Sequence, residues 1–405
     1  MYVSTIRAPG ARRLGRVPAT VVALGLVSFF TDVSAEMVAA FLPMYLLYGV
    51  GAGYLHLGIL DGLYTGAGAV LRLAGGHLAD RTSRPKAVAL AGYALSAAAK
   101  LSFPLAGGSL PGVGAAVAVD RAGKGLRAAP RDALIAAATP PPLLGAAFGV
   151  HRALDTAGAL LGPILAFTLV AAVGSAYDTV FGVSFCLALV GVLILACFVR
   201  GTRPAPAAGP RVSVREGWRL LREPSVRRVA VVATCLGLGT AGDAFLFVAV
   251  QRQSGLGPGA LPLLPLATSL VFLAAAVPVG RLADRVGGRR VFLAGHALLA
   301  LAYLLLGAGG VLPAWPAAAA VLVLHGLFYA ATDGVLMACL APRLPERLRA
   351  SGLALVQTGQ AVARMGGAIC FGALAAGQGL PAAFTLFCAA LTGVLGVAVL
   401  KRRRT

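Results

Sequence analysis

About twelve apolar runs, each long enough to cross a lipid bilayer, constrain this chain more than any other feature of its sequence. A span needs roughly 20 mostly apolar residues. The runs lie near 18–48, 54–78, 87–106, 112–134, 144–173, 178–199, 227–250, 258–280, 290–309, 314–340, 350–375 and 380–400, separated by short polar or Gly/Pro connections. The first is too long for a cleavable signal peptide and carries two carboxylates, so it reads as span 1 itself. Composition agrees: 59% of the 405 residues are hydrophobic and only 12% charged, about half the charge density of a soluble chain. Hydrocarbon offers the backbone no hydrogen-bond partner, and runs of this length satisfy it internally as helices. The expectation is an all-α integral membrane protein with 12 transmembrane helices.

A net charge of +21 would suggest nucleic acid in a soluble protein. The positions of the charges give another reason for it. With alternate loops on opposite sides, 28 of the 35 basic residues fall on one side and Arg252 alone on the other. That asymmetry is the positive-inside pattern, so both termini and the central loop are expected in the cytoplasm of a multi-pass protein of the inner (plasma) membrane. No nucleic-acid partner is needed. The other six bases, Arg72, Lys100, Arg121, Lys124, Arg152 and Arg364, fall inside spans.

The chain repeats. Gly76-His-Leu-Ala-Asp80-Arg81 follows span 2 and Gly280-Arg-Leu-Ala-Asp284-Arg285 follows span 8, an offset of 204 residues. The same offset lays Leu143–Ala147 on Arg347–Ser351 and Gly162 on Gly366. One constant offset across separate elements predicts two six-helix bundles. The divisions are a cytoplasmic tail over 1–17, bundles over 18–199 and 227–400, a basic linker over 200–226 and a cytoplasmic tail over 401–405. The linker reads either as an amphipathic helix on the lipid surface or as a solvated basic loop.

Two parallel six-span halves, a long basic central loop and G-x-L-A-D-R after spans 2 and 8 resemble the major facilitator superfamily of secondary transporters, over essentially the whole chain. Phe29–Met37 and Asp120–Asp132 resemble a bacterial branch of it with drug/proton antiporter-like motifs. The resemblance implies a conformational latch made by Gly76, Asp80, Arg81 and Arg84, with Gly280, Asp284 and Arg285 in the second copy. Ser83 stands where the family's loop has Gly, while the second copy keeps Gly287 and Gly288. Arg121-Ala-Gly-Lys-Gly125 resembles the family's R-x-x-x-G of span 4, whose Arg is tied to proton transfer. Gly149, Gly158, Gly162 and Pro163 resemble the antiporter motif of exporters, with Ala166-Phe167 in place of its final Gly pair.

Ionisable groups inside a membrane are expensive and usually face a bundle interior or a watery cavity. Seven acids lie within spans: Asp32, Glu36, Asp61, Asp120, Asp155, Asp243 and Asp333. Asp32 and Glu36 are four apart and share one helical face. With Arg121, Asp61 and Asp120 they are the candidates for proton coupling. Opposite them, Arg121, Lys124, Arg127 and Arg131 form one cationic stripe on span 4. Arg121 either takes part in proton transfer or only neutralises Asp32 or Asp120. His325 stands 204 residues beyond Arg121 and is either a packed histidine or a proton carrier.

Candidate cavity residues are Arg121, Lys124, Arg152, Asp155, Asp243, His325, Tyr329, Asp333, Gln357, Gln360 and Arg364, with Asp333 and Arg364 expected to pair. The six cysteines lie singly within spans, and no Walker A, H-E-x-x-H or G-x-S-x-G pattern occurs. The reading is a monomeric, non-enzymatic transporter without cofactor or metal, driven by the proton gradient. It would export a small amphipathic molecule; uptake or exchange of an anion on the span 4 stripe is the alternative mode. A membrane sensor or partner subunit that does not transport is the alternative of another class.

Overall fold

The computed structural model describes residues 17–82, 84–140, 143–174, 176–199, 219–309, 313–345 and 349–400. Side chains are described for all of these except 70, 72–82, 338, 341 and 349–351. The first half contains α1 (Ala19–Met44), α2 (Tyr54–Thr82), α3 (Pro85–Leu105), α4 (Leu110–Ala137), α5 (Leu144–Val173) and α6 (Tyr177–Phe198). In the second half come α7 (Pro224–Leu238), α8 (Asp243–Gln253), α9 (Leu264–Val286), α10 (Gly288–Ala308), α11 (Ala314–Thr332), α12 (Val335–Leu340), α13 (Arg349–Gln378) and α14 (Leu380–Leu400). The chain is an all-α, multi-pass membrane protein of two six-span halves.

Span 7 is not one helix, as the apolar run 227–250 predicts, but α7 and α8 with a break at Gly239–Gly242. Span 10 breaks likewise at Asp333-Gly334, where Gly334 takes φ +80°. Both breaks lie in the second half. Glycine is so frequent throughout this chain that it gives little warning of where a helix stops.

Nine helical segments among the described residues are long and apolar enough to cross a membrane. The other three long helices, α2, α4 and α13, have 29, 28 and 30 residues but are more polar. Their position explains the difference, because all three border the space between the halves and need no apolar surface on every side. Local signals still set their ends: Ser109 caps α4 by accepting from the Gly112 N–H at 3.4 Å, with Pro111 in the first turn.

The halves meet along α2 and α13 through Gly58, Gly62 and Gly66. A Cβ at Gly58 would stand 2.6 Å from the Ala368 carbonyl oxygen, and one at Gly62 2.9 Å from that of Met365. Small residues at this spacing let two helices approach backbone to backbone. These contacts lie toward the end of the molecule away from the basic loops, here called the far end. There Tyr48 donates to Gln251 at 2.9 Å and Arg252 bonds the Tyr54 hydroxyl, again joining the two halves. Aromatics fill the first half behind this closure, with Phe103 stacked on Phe181 and Phe41 and Tyr45 edge-on to it.

Candidate functional site

A cavity of about 880 Å³ lies between the halves. Leu42, Leu46, Leu57 and Leu261 line its inner part, while Arg131, Asp132, Arg152 and Met337 line it toward the ends of helices that carry the basic loops. Seven carboxylates and six bases are in its lining. Both signs are therefore available to a molecule inside, next to an apolar floor.

On the first-half wall the expected opposition of α1 and α4 takes the form of a ladder. Asp32 pairs with Arg127 and Glu36 with Lys124, each at 3.7 Å. Residues four apart on one helix face residues three apart on the other, which matches two rungs one turn apart. Asp155 of α5 adds a third carboxylate, 3.0 Å from Arg152 and 3.8 Å from Arg131, with its side chain against that of Asp32. His151, one turn earlier, hydrogen-bonds Ser28 of α1 at 2.8 Å. Arg127 stacks 4.4 Å from the Tyr93 ring centroid, and its Nη1 has no hydrogen-bond partner among the described residues.

The glycines of α5 explain how this wall closes. A Cβ at Gly158 would overlap the Phe29 carbonyl, and one at Gly162 would lie 2.7 Å from the Met37 nitrogen and 2.8 Å from the Val33 oxygen. These two contacts press α5 onto the stretch of α1 that carries Asp32 and Glu36, and Pro163 of the same motif lines the cavity. Gly149, the motif's first member, has open space where a Cβ would go.

Behind the wall lies a second layer. Asp120 binds Lys100 and Arg121 together and accepts from the Ser96 hydroxyl at 2.5 Å. Asp120 is thus turned into the bundle and does not face the cavity. Arg121 lines the cavity, covers the Tyr64 ring at 3.7 Å and is neutralised by Asp120 rather than by Asp32. Lys100 is completely buried. The sequence flagged it only as a base inside a span; its partner could be found only by knowing which face of α3 meets α4.

The second half gathers its polar groups around one acid. Asp243 lies 3.3 Å from His325 and 3.9 Å from Arg364, and accepts from the Tyr329 hydroxyl at 2.5 Å. Arg364 in turn donates to Tyr329 at 2.7 Å. The expected pair of Asp333 with Arg364 does not form: Asp333 ends α11 as an exposed residue on the cavity rim, and Arg364 turns to Asp243. Gln357, Gln360 and Arg364 line the cavity, whereas His325 and Tyr329 stand behind Asp243 and outside the lining. Asp61 of α2 lies against this group from the other half, beside Gly242 and Asp243.

The sequence matches the family model of the Major Facilitator Superfamily over residues 24–268 and again over 229–405. The chain belongs to this superfamily. An MFS-type transporter of Methanocaldococcus jannaschii is 28% identical over 352 residues, 83% of each chain. A Mycobacterium tuberculosis protein is 34% identical over 233 residues, 55% of each chain. Among solved structures, a nucleoside transporter matches with TM-score 0.80 at 13% identity, covering 94% of this chain and 99% of its own. A POT family transporter in complex with 5-aminolevulinic acid matches with TM-score 0.75 at 15% identity, covering 97% of each. At such identities the likeness is one of fold, and it agrees with the two halves described above.

Of the residues expected to form a latch, Arg84, Gly280, Asp284 and Arg285 are outside the cavity lining. The side chains of Gly76, Asp80 and Arg81 lie outside the described residues. Arg84, Asp284 and Arg285 are exposed, and no ion pair among the described residues includes them. Gly280 has open space around its Cα. Tyr64, which the sequence reading passed over, is in the cavity lining, while its hydroxyl is buried and without a partner among the described residues.

Proposed function

We propose that this facilitator is a proton-coupled exporter of a small amphipathic molecule, working by alternating access, with its cavity here facing the cytoplasm. The observation that carries the reading is the ladder of Asp32 and Glu36 on Arg127 and Lys124 in the cavity wall. At 3.7 Å these pairs are loose, so a proton or a substrate charge can replace one partner without dismantling the fold. Asp155 beside Asp32 supports the same reading, since two neighbouring carboxylates in a poorly hydrated site favour holding one proton between them. The charged walls and leucine floor suit a molecule with both polar and apolar surface.

Sidedness rests on the positive-inside argument, which places the basic ends of the helices in the cytoplasm. Contacts between the halves at the far end, with the cavity lined by Arg131, Asp132, Arg152 and Met337 toward the basic end, fit an inward-facing state. The proton gradient is then the energy source.

The bases of α4 in the cavity wall favour a second reading, exchange or uptake of an anion that binds Lys124, whose side chain is 38% exposed. Proteoliposomes with an internal pH reporter separate the two when a panel of small amphipathic compounds is offered under an imposed gradient. Proton-coupled export predicts a compound-dependent pH change that Asp32→Asn abolishes. Obligatory anion exchange without response to the gradient would overturn it.

A further inference from the structure

Asp61 belongs to the first half by sequence and touches the second half in space. Its Oδ2 occupies the position that a side-chain carbon at Gly242 would take. Gly242 has φ −63° and ψ 143°, a backbone that any residue adopts. Glycine is therefore required there for room, and the room is filled by a carboxylate from the other half. Gly242 is also the N-cap of α8, so the Asp61 carboxylate lies beside the start of that helix. No side chain of α8's own N-cap satisfies that end of the helix. A carboxylate is what the exposed N–H groups and the positive end of the dipole attract.

The far end of α8 makes contacts of the same kind. Gln251 accepts from Tyr48, and Arg252 bonds Tyr54. One short, broken-off helix thus carries ties to the first half at both of its ends. From the structure we infer that Asp61 is the positioning charge that seats α8 against the first half and so holds the far end closed. This rests on alternating access and adds where the closure is held.

Opening the far end must take Asp61 off α8. The charged groups facing it are Asp243 of α8 and Arg364 of α13, and Asp243 is already engaged by His325, Tyr329 and Arg364. On α4, Arg121 is held by Asp120 over the Tyr64 ring. A carboxylate leaving α8 finds no unengaged cation among these, and Leu57, Leu60 and Phe245 nearby are buried and apolar. Unpaired charge in such a place is costly, and the neutral acid is not. Opening is therefore favoured when the Asp61 carboxylate takes one proton from the far side. Closing releases that proton into the cavity as the carboxylate returns to α8, and no other bond changes.

Hydrogen exchange of the full chain in nanodiscs tests this without any substrate, so its outcome is independent of the flux assay. Asp61→Ala and Gly242→Ala should each raise exchange rates roughly threefold or more in segments 45–57 and 250–263, leaving 129–139 and 333–345 unchanged or slower. Wild type should show the same rise from about pH 8 to about pH 5.5 after correction for intrinsic exchange, and Asp61→Asn should show it at both values. The inference is overturned by unchanged far-end exchange in both variants, by an equal rise at both ends of the molecule, or by a pH response that survives Asp61→Asn.

Discussion

The two halves share a fold and an offset of 204 residues, yet they hold their buried charge in different ways. In the first half α1 and α4 run unbroken through the centre, and charges on them meet as a ladder, with Lys100, Asp120 and Arg121 forming a second layer behind. In the second half the corresponding spans 7 and 10 are both broken, and a single acid beside one break collects a histidine, a tyrosine and an arginine. Arg121 and His325, equivalent by the repeat, each face an acid, but the acid is the neighbouring residue Asp120 in one case and Asp243 of another helix in the other. A continuous helix can offer charge only through its side chains. A broken one also offers a backbone end, and α8 uses its own to receive Asp61.

The sharpest way to break this comparison is to neutralise the central acid of each half. Asp120→Asn leaves Lys100 and Arg121 facing each other without a counter-charge inside the bundle. It should cost about 3–5 kcal/mol in detergent unfolding, the usual loss when one partner of a buried pair is removed. Asp243→Asn, at a carboxylate 40% exposed to the cavity, should cost only about 1 kcal/mol. Equal losses would mean that the halves do not differ in the way described.

Next in size is the seam that builds the first-half wall. Gly162→Val places carbon against the backbone of Val33 and Met37 and should destabilise by about 1–3 kcal/mol. Gly149→Ala enters open space in the same motif and should be neutral or stabilising by up to about 1 kcal/mol. A transition temperature lowered as much by Gly149→Ala as by Gly162→Val would sink the packing account of the motif.

For transport, the ladder should matter more than the rim. Asp32→Asn is expected to reduce gradient-driven flux roughly tenfold or more, about 1.4 kcal/mol, whereas Asp333→Asn should stay within about twofold. The reverse order of fluxes would move the coupling to the second half.

The smallest contrast is between two tyrosines. Tyr329→Phe removes a hydroxyl that bridges Asp243 and Arg364 and should cost about 0.5–1.5 kcal/mol. Tyr64→Phe removes one without a partner among the described residues and should leave the unfolding temperature unchanged. Equal losses in the two variants would mean that the Tyr64 hydroxyl has a partner as well.

Much of the architecture was legible because its causes are local. Length and hydropathy of a run decide whether it can span; the spacing of Asp32 and Glu36, or of Lys124 and Arg127, decides that they share a helical face. The repeat offset revealed the two halves because a duplicated pattern needs no knowledge of folding. Where the reading failed, two distant helices were involved. Asp333 and Arg364 look like natural partners in the sequence, but the chain break at Asp333-Gly334 turns Asp333 to the rim and leaves Arg364 to Asp243. Lys100 was visible as an oddity and not as half of a pair.

By itself, then, the sequence determined that this chain lies in a membrane as two bundles of six spans, with the ionisable residues inside the spans concentrated in the first, since burial in hydrocarbon and helical periodicity act on consecutive residues. Only the tertiary structure decided which charges neutralise one another, where spans 7 and 10 stop, and that Asp61 crosses to the opposite half. Those outcomes depend on which faces of separate helices come within a few ångströms, and Coulomb and hydrogen-bond energies at that range are set by packing rather than by position in the chain.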